Sequence, residues 1–154
     1  MLAKLIPLKI WFDNLNIKLS DAGNVPKAQD YQFGVDFTVF KKNDSDHDYK
    51  VVLDFAMSPQ RDAACRYEQV SFKAVGVFSI EDDTKEDLIK FLVPGNCLVM
   101  LYGYARGAIA QITGPNPGGS LFLPSINFDQ VIKNKIAAEE KSQNSGDSQD
   151  NPAE

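Results

Sequence analysis

The residues best suited to chemistry lie in the stretch Asp44 to Asp48, where three aspartates at alternate positions surround His47, the single histidine of the chain. Calcium loops begin with this spacing, because alternate carboxylates can turn toward one cation. Such a loop also needs glycine at its sixth position and glutamate at its twelfth, where this sequence has Tyr49 and Phe55. Calcium is therefore not expected, and we interpret the stretch as a solvated turn.

The other residue types that perform chemistry are too sparse to form a site. Any Ser/His/Asp or Cys/His set would have to use His47, and the pair Gly118-Gly119 is not a phosphate-binding loop. Cys65 and Cys97 are too few for a disulfide framework or a zinc cluster. None of the 21 acids falls in an apolar context that would raise its pKa. The sequence predicts no catalytic residue, no cofactor and no metal.

The charge of the chain is concentrated at its C-terminal end. The formal net charge is −5, and the segment from Glu139 to Glu154 holds five acids against Lys141 alone. The preceding chain therefore carries a single net negative charge. Because phosphate binding needs a basic surface, nucleic acid is not an expected partner.

The N-terminal run MLAKLIPLKI mixes two lysines and a proline with apolar residues, and no small-residue cleavage site follows it. This pattern is a poor match to a signal peptide, and we interpret it as the start of a first strand. Together with the low cysteine content, it predicts a cytoplasmic protein.

Four segments alternate apolar and polar side chains with the period of a half-buried strand. The first places Ile6, Leu8 and Phe12 on one face and then changes phase near Asp13-Asn14, which predicts a β-bulge. A loop at Ser20 to Asp30 follows it. Short connections predict an antiparallel sheet with one face in water. The later strands are predicted over Phe33–Val39, Tyr49–Met57 and Tyr67–Ile80.

The period changes after the fourth strand. The sequence predicts a short helix over Asp82–Val93, a second over Cys97–Thr113 and an irregular loop at Pro115–Gly119. A last helix begins near Asn127, which has the spacing of a capping box with Gln130. Strands followed by helices indicate an α+β domain. We expect it to span residues 1–138, with a disordered acidic tail over 139–154.

The second predicted helix, Cys97 to Thr113, carries Arg106 as its only charge and apolar residues on every side. A helix of this kind must be covered all round. It is short for a membrane span, which needs about 20 apolar residues, so membrane insertion is not expected. Gly103 and Gly107 leave room for another backbone to approach closely. In a chain this small, the cover is expected to include a second subunit.

Three motifs follow one another in this sequence and are followed by a helix and an acidic tail. They are VGVFSI at Val75–Ile80, LYGYAR at Leu101–Arg106 and LFLPSINFD at Leu121–Asp129. Their order and spacing resemble the SecB family of bacterial protein-export chaperones. Weaker matches, DYQFGVDFTV and YKVVLDF, lie in the second and third strands, so the resemblance covers Leu5 to Ala138.

The resemblance implies a four-stranded antiparallel sheet backed by a long interface helix and a C-terminal helix, assembled as a homotetramer that is a dimer of dimers. SecB-type proteins are not enzymes; they hold unfolded clients without ATP in hydrophobic grooves and keep them competent for export or folding. Carried onto this sequence, the groove would be formed by Val35, Phe37, Val39, Val131, Ile132 and Ile136. The oligomer interface would be formed by Leu101, Gly103, Tyr104, Arg106, Gly107 and Ile109.

This sequence departs from the family at the surface that docks the SecA motor. Family members that deliver clients to SecA carry acidic contacts on the solvent face of the sheet, and Lys18 and Lys73 would make that face locally basic here. Because charge complementarity governs partner choice, SecA is a doubtful partner. The corresponding positions are Asn16, Ser20 and Ser71, with Gln69 where an apolar contact is usual.

Three functional hypotheses follow. The chain holds preproteins or other unfolded clients, or it is dedicated to an antitoxin, since SecB-like chaperones also occur beside toxin–antitoxin pairs. The third hypothesis, from another class, is a non-enzymatic adaptor or small-molecule binder on the same fold. A binder of that kind would need a compact pocket with convergent polar groups, and the sequence shows no such set.

Overall fold

The computed structural model describes residues 4–20, 30–61, 65–81, 84–116 and 119–145, without the side chains of residues 87–88 and 144–145. Most of the loop predicted at Ser20 to Asp30 and the end of the predicted tail, residues 146–154, lie outside the described residues. The elements are β1 (Leu5–Leu19), β2 (Tyr31–Lys41), β3 (Asp48–Pro59), β4 (Tyr67–Ile80), α1 (Glu86–Thr113) and α2 (Phe128–Ser145).

The four strands form one antiparallel sheet in the order β1-β4-β3-β2. The predicted α+β class and antiparallel sheet are therefore confirmed. The first two strands of the chain form the two edges of this sheet, and α1 packs across its inner face. The stretch from Asp44 to His47 lies in the turn between β2 and β3, as predicted.

Two irregularities in β1 decide which of its side chains face inward. The register against β4 shifts between Phe12 and Asn14, which confirms the predicted bulge. A second shift lies between Pro7 and Lys9, and it turns Ile6 and Leu8 outward, where both are exposed. The prediction that they share a face with Phe12 is wrong, because each bulge exchanges the two faces of a strand.

A row of aromatic rings crosses the inner face of the sheet and involves all four strands. Phe55 stacks on Phe33 and on Phe72 with ring centroids 6.4 and 5.0 Å apart, and Phe12 meets Phe72 edge-on at 5.9 Å. Tyr102 of α1 packs over Phe55 at 5.8 Å. Such pairs contribute about 0.5–1.5 kcal/mol each beyond their buried area, so this row fixes α1 on the sheet.

The predicted division of the first helical region into two helices is wrong, because α1 is one helix of 28 residues that contains Pro94. An interior proline costs a helix about 3 kcal/mol. On either side of it, Val93 and Cys97 are buried against the sheet. The burial of both flanks offsets the local cost and keeps the helix continuous.

Close contact between α1 and the sheet depends on Gly76 in β4. A Cβ atom added at this residue would overlap the ring of Phe78 and lie 2.9 Å from Cδ2 of Leu101. Carbon atoms do not approach this closely without displacement. Gly76 therefore sets the distance at which the helix rests on the sheet.

The last helix begins as predicted, with the side-chain oxygen of Asn127 accepting from the backbone N–H of Gln130 at 3.3 Å. The side chain of Gln130 donates to Asn134 at 2.8 Å, away from the cap. The predicted boundary between domain and tail at Ala138 falls inside α2, which continues to Ser145. Residues 139–145 are thus helical, which corrects their assignment to a disordered tail.

Over the described residues, neither helix is long and apolar enough to cross a membrane. Within the same part of the chain, no three side chains of histidine, cysteine, aspartate or glutamate are grouped as the ligands of a metal ion would be.

Candidate functional site

An apolar groove of about 630 Å³ opens between β2, the first half of α1 and α2. Its apolar lining comes from these three elements and from Tyr49 of β3, which places it where α1 and α2 both meet the edge of the sheet. The apolar side chains that line it are Phe37, Val39, Tyr49, Ile89, Val93, Pro94, Ile132 and Ile136.

Four of the six predicted groove residues line this groove: Phe37 and Val39 from β2 and Ile132 and Ile136 from α2. Val35 and Val131 are partly buried against the core and are not among the lining residues of the groove. Two residues of strand span about 6.6 Å, which carries Val35 beyond the end of the groove. One residue of helix turns a side chain by about 100°, which points Val131 toward the core.

The first half of α1 supplies a wall that the sequence analysis missed. Ile89 and Val93 line the groove opposite α2, with Val93 buried and Ile89 partly so. They were assigned to a separate short helix, so no position relative to β2 could be given to them. Their spacing of four residues is typical of one helix face. This spacing is the feature of the sequence that could have identified them as parts of one wall.

The apolar walls remain accessible in the folded chain. Val39 keeps 36% and Ile136 keeps 48% of its surface exposed on the two sides of the groove. Phe37 lies deeper, with 7% exposed. The groove therefore presents apolar surface to solvent over a buried aromatic floor, an arrangement typical of sites that bind apolar segments.

The charges at the rim of the groove balance. Lys41, Lys90 and Lys135 stand against Asp46, Glu86 and Glu139. Two of these charges already pair, since Nζ of Lys41 lies 3.2 Å from a carboxylate oxygen of Asp46. The hydrogen bond that Lys41 donates to Asp46 raises the pKa of Lys41. A balanced rim around an apolar floor suits segments of a polypeptide better than a ligand of one charge.

Lys135 of α2 joins the rim to the edge strand. Its Nζ lies 2.7 Å from Oδ1 of Asp36 and donates a hydrogen bond to the carbonyl oxygen of Phe37. The same ammonium lies 4.8 Å from the centre of the Phe37 ring. The hydrogen bond from Lys135 holds the pKa of the Asp36 carboxyl below its ordinary value. Three contacts from one side chain thus tie α2 to β2.

The positions aligned with the SecA-docking surface lie on or beside the outer face of the sheet. Asn16 is paired with Ser71 across β1 and β4, Gln69 is paired with Lys18, and Ser20 follows the end of β1. The positive charge expected there is offset. Lys18 lies 2.6 Å from Glu68 and Lys73 lies 3.7 Å from Asp54.

The predicted interface residues of α1 fall on two different faces. Gly103, Arg106 and Gly107 are exposed on the side that points away from the sheet. Tyr104 is 42% exposed, but its ring packs on Phe12 of β1 with centroids 5.2 Å apart. Leu101 and Ile109 are fully buried in the core of the chain, so their assignment to an oligomer interface is corrected. Leu101 and Ile109 are eight residues apart and therefore share one face of the helix. Gly103 and Gly107 are four residues apart and share another face.

The family model described as preprotein translocase subunit SecB matches residues 8–139. The protein-export protein SecB of Psychrobacter cryohalolentis is 27% identical over 129 residues, which are 80% of this chain and 81% of that protein. SecB of Psychrobacter arcticus is also 27% identical, over 128 residues, with 80% and 82% covered.

Among solved structures, this chain is similar to a SecB-like chaperone of Mycobacterium tuberculosis, which was solved in complex with a ChAD peptide from the HigA1 antitoxin. The TM-score is 0.53 at 17% identity, with 80% of this chain and 91% of that chain covered. At this identity the likeness concerns the fold. Because the family model spans most of the sequence and the fold agrees with it, this chain belongs to the SecB family.

Proposed function

We propose that this chain is an ATP-independent chaperone that holds non-native polypeptides in the groove between β2, α1 and α2. The observation that carries the proposal is the accessible apolar wall formed by Val39 and Ile136 over the floor of Phe37. Unfolded export clients are the expected occupants, in agreement with the name of the curated relatives. No enzymatic step is needed, and the cytoplasm, where such clients await export, is the proposed location.

Burial of apolar surface drives the binding in this proposal. Each Å² of apolar client surface removed from water contributes about 25 cal/mol, so a short segment binds weakly. Several grooves on one assembly would act together through effective concentration. A folded protein offers no exposed apolar segment, so the groove would select chains by their lack of structure.

We further propose that the assembly is a homotetramer that uses the outer side of α1. On that side Val99 is 60% exposed, and Gly103 and Gly107 are exposed beside it. Cβ atoms added at Gly95, Gly103 and Gly107 would meet nothing within 4 Å. A partner helix could therefore approach the backbone closely there, as small residues permit.

Suppression of aggregation tests the groove. A Val39→Asp/Ile136→Asp variant places two charges in the groove at positions that are already partly exposed, so folding is retained. It is expected to lose at least tenfold in its power to keep a chemically unfolded client soluble. Phe122→Asp, at a residue that is 75% exposed outside the groove lining, is the matched control. Equal activity of the wild type and the double variant would remove the groove assignment.

A second candidate is a SecB-like chaperone dedicated to an antitoxin. Two observations favour it: the structurally similar M. tuberculosis chaperone is bound to an antitoxin peptide, and the docking positions Asn16, Ser20 and Ser71 carry no acidic residue. Under this reading the affinity for SecA is at least tenfold weaker than that of a SecB with an acidic patch. A SecA affinity equal to that of such a SecB, measured by calorimetry, would contradict this second candidate and leave the first intact.

A further inference from the structure

One side of the edge strand β2 faces away from β3, and hydrogen bonds at both ends identify the backbone groups on that side. The N–H of Lys42 donates to Asp48 at 3.0 Å, and the N–H of Gln60 donates to Asp30 at 2.8 Å. In an antiparallel pair, residues alternate between bonding the neighbouring strand and pointing away from it. Both ends have the same parity, so the even-numbered residues of β2 bond β3 and the odd-numbered residues point outward.

The outward-pointing backbone groups of Phe37 are both occupied by side chains. The N–H donates to Oδ1 of Asp36 at 2.8 Å, and the carbonyl oxygen accepts from Nζ of Lys135. The two side chains that occupy this residue also pair with each other at 2.7 Å. An added strand needs this N–H and this carbonyl, and both are withheld from it.

We propose that Asp36 and Lys135 form a latch on the open edge of β2 that blocks strand addition at Phe37 and thereby determines which segments the groove accepts. With the latch closed, a client contacts the ring of Phe37 by its side chains and gains nothing from backbone pairing at that residue. Segments are then selected by apolar content and not by their tendency to form strands. This inference rests on the proposed function, because it assigns the selectivity of the same groove.

The position and the exposure of the latch fit this role. Phe37 is the deepest apolar residue that β2 contributes to the groove, so blocked pairing there interrupts any strand laid along the edge. The side chain of Asp36 is 70% exposed and that of Lys135 is 28% exposed, and exposed ion pairs are weak. Charged side chains that cover a sheet edge are a known protection against pairing between copies.

Two peptides of the same apolar sequence test the latch, one unmodified and one N-methylated at alternate amides so that it cannot pair with a strand. Wild type is expected to bind both within about twofold of each other. Asp36→Ala/Lys135→Met frees the N–H and the carbonyl of Phe37 and should bind the unmodified peptide about tenfold more tightly, as two added hydrogen bonds would give. Its affinity for the methylated peptide should not change. Lys133→Met, at an exposed lysine two residues earlier on α2, should behave like the wild type.

The latch is contradicted if the wild type already prefers the unmodified peptide tenfold, or if the double variant gains no preference. A second measurement needs no client. Freed edges pair with one another, so Asp36→Ala/Lys135→Met should self-associate by sedimentation at concentrations where the wild type and Lys133→Met keep one size. If neither peptide binds the wild type, the proposed function fails, and sedimentation alone decides the latch: unchanged size would overturn it.

Discussion

The hydroxyl of Tyr102 donates a hydrogen bond of 2.6 Å to the carbonyl oxygen of Pro124. Tyr102 lies on α1 and Pro124 in the segment that leads back to α2, whose first residue, Phe128, meets the Tyr102 ring edge-on at 5.5 Å. One side chain thus fixes the start of α2 against α1. These two helices form opposite walls of the groove.

Tyr102→Phe should lower the free energy of unfolding by about 1–3 kcal/mol, because a half-buried carbonyl loses its partner. Tyr104→Phe is the matched control: it lies two residues along the same helix and is 42% exposed, so the change should stay within about 0.5 kcal/mol. Urea unfolding of both variants measures the difference. Equal losses would show that the hydrogen bond to Pro124 does not contribute.

Gly76→Ala should lower the free energy of unfolding by about 1–3 kcal/mol, the usual cost of overpacking. The added carbon would crowd the Phe78 ring and Leu101. Gly34→Ala provides the control, because a Cβ atom at this residue of β2 meets nothing within 4 Å. It should be neutral or slightly stabilising. If both variants unfold at the same urea concentration, α1 does not rest on the sheet as closely as described.

The thiol of Cys97 should make the fold less stable in alkali. Burial raises its pKa to about 12, from an ordinary value of 9.0. Between these values the unfolded chain releases a proton that the folded chain keeps, so stability falls as pH rises. Cys97→Ala removes this contribution, and its stability should fall less steeply between pH 9 and pH 11 than that of the wild type. Parallel urea midpoints for the two proteins across this range would contradict the prediction.

Gly107→Leu should reduce the size of the assembly in solution without destabilising the single chain. Leucine favours the helix over glycine by up to about 1 kcal/mol, and a Cβ atom added here meets nothing within 4 Å. The added bulk would act only on a partner. Multi-angle light scattering should report a species smaller than a tetramer, while Ala137→Leu, at an exposed residue of α2, keeps the wild-type mass. A tetrameric Gly107→Leu would show that the interface lies elsewhere.

Sequence reasoning predicted elements well where one period runs without interruption. Val70, Phe72 and Ala74 alternate with Ser71 and Lys73 in the predicted strand Tyr67–Ile80, and β4 has the same bounds. Sequence reasoning failed where local signals oppose tertiary packing. Pro94 indicates a break between two helices, but the burial of Val93 and Cys97 keeps α1 continuous. It also failed at Leu8, because an apolar run gives no sign of a second bulge.

The groove could be predicted only in part. Phe37 and Ile132 were reached through the resemblance to SecB, and the structure places both in one groove. Ile89 and the latch residues Asp36 and Lys135 were not found. The latch joins residues 99 positions apart in the chain, and neither spacing nor composition contains information about such a contact.

The most direct test of the central claim is site-specific photo-crosslinking to an unfolded client. A benzophenone amino acid is placed at Ile136 inside the groove or at Phe122 outside its lining, both of which are exposed in the folded chain. We expect the unfolded client to crosslink at position 136, at least tenfold less at position 122, and at neither position once the client has folded. Equal crosslinking at the two positions, or none at position 136, would contradict the claim that this groove holds non-native chains.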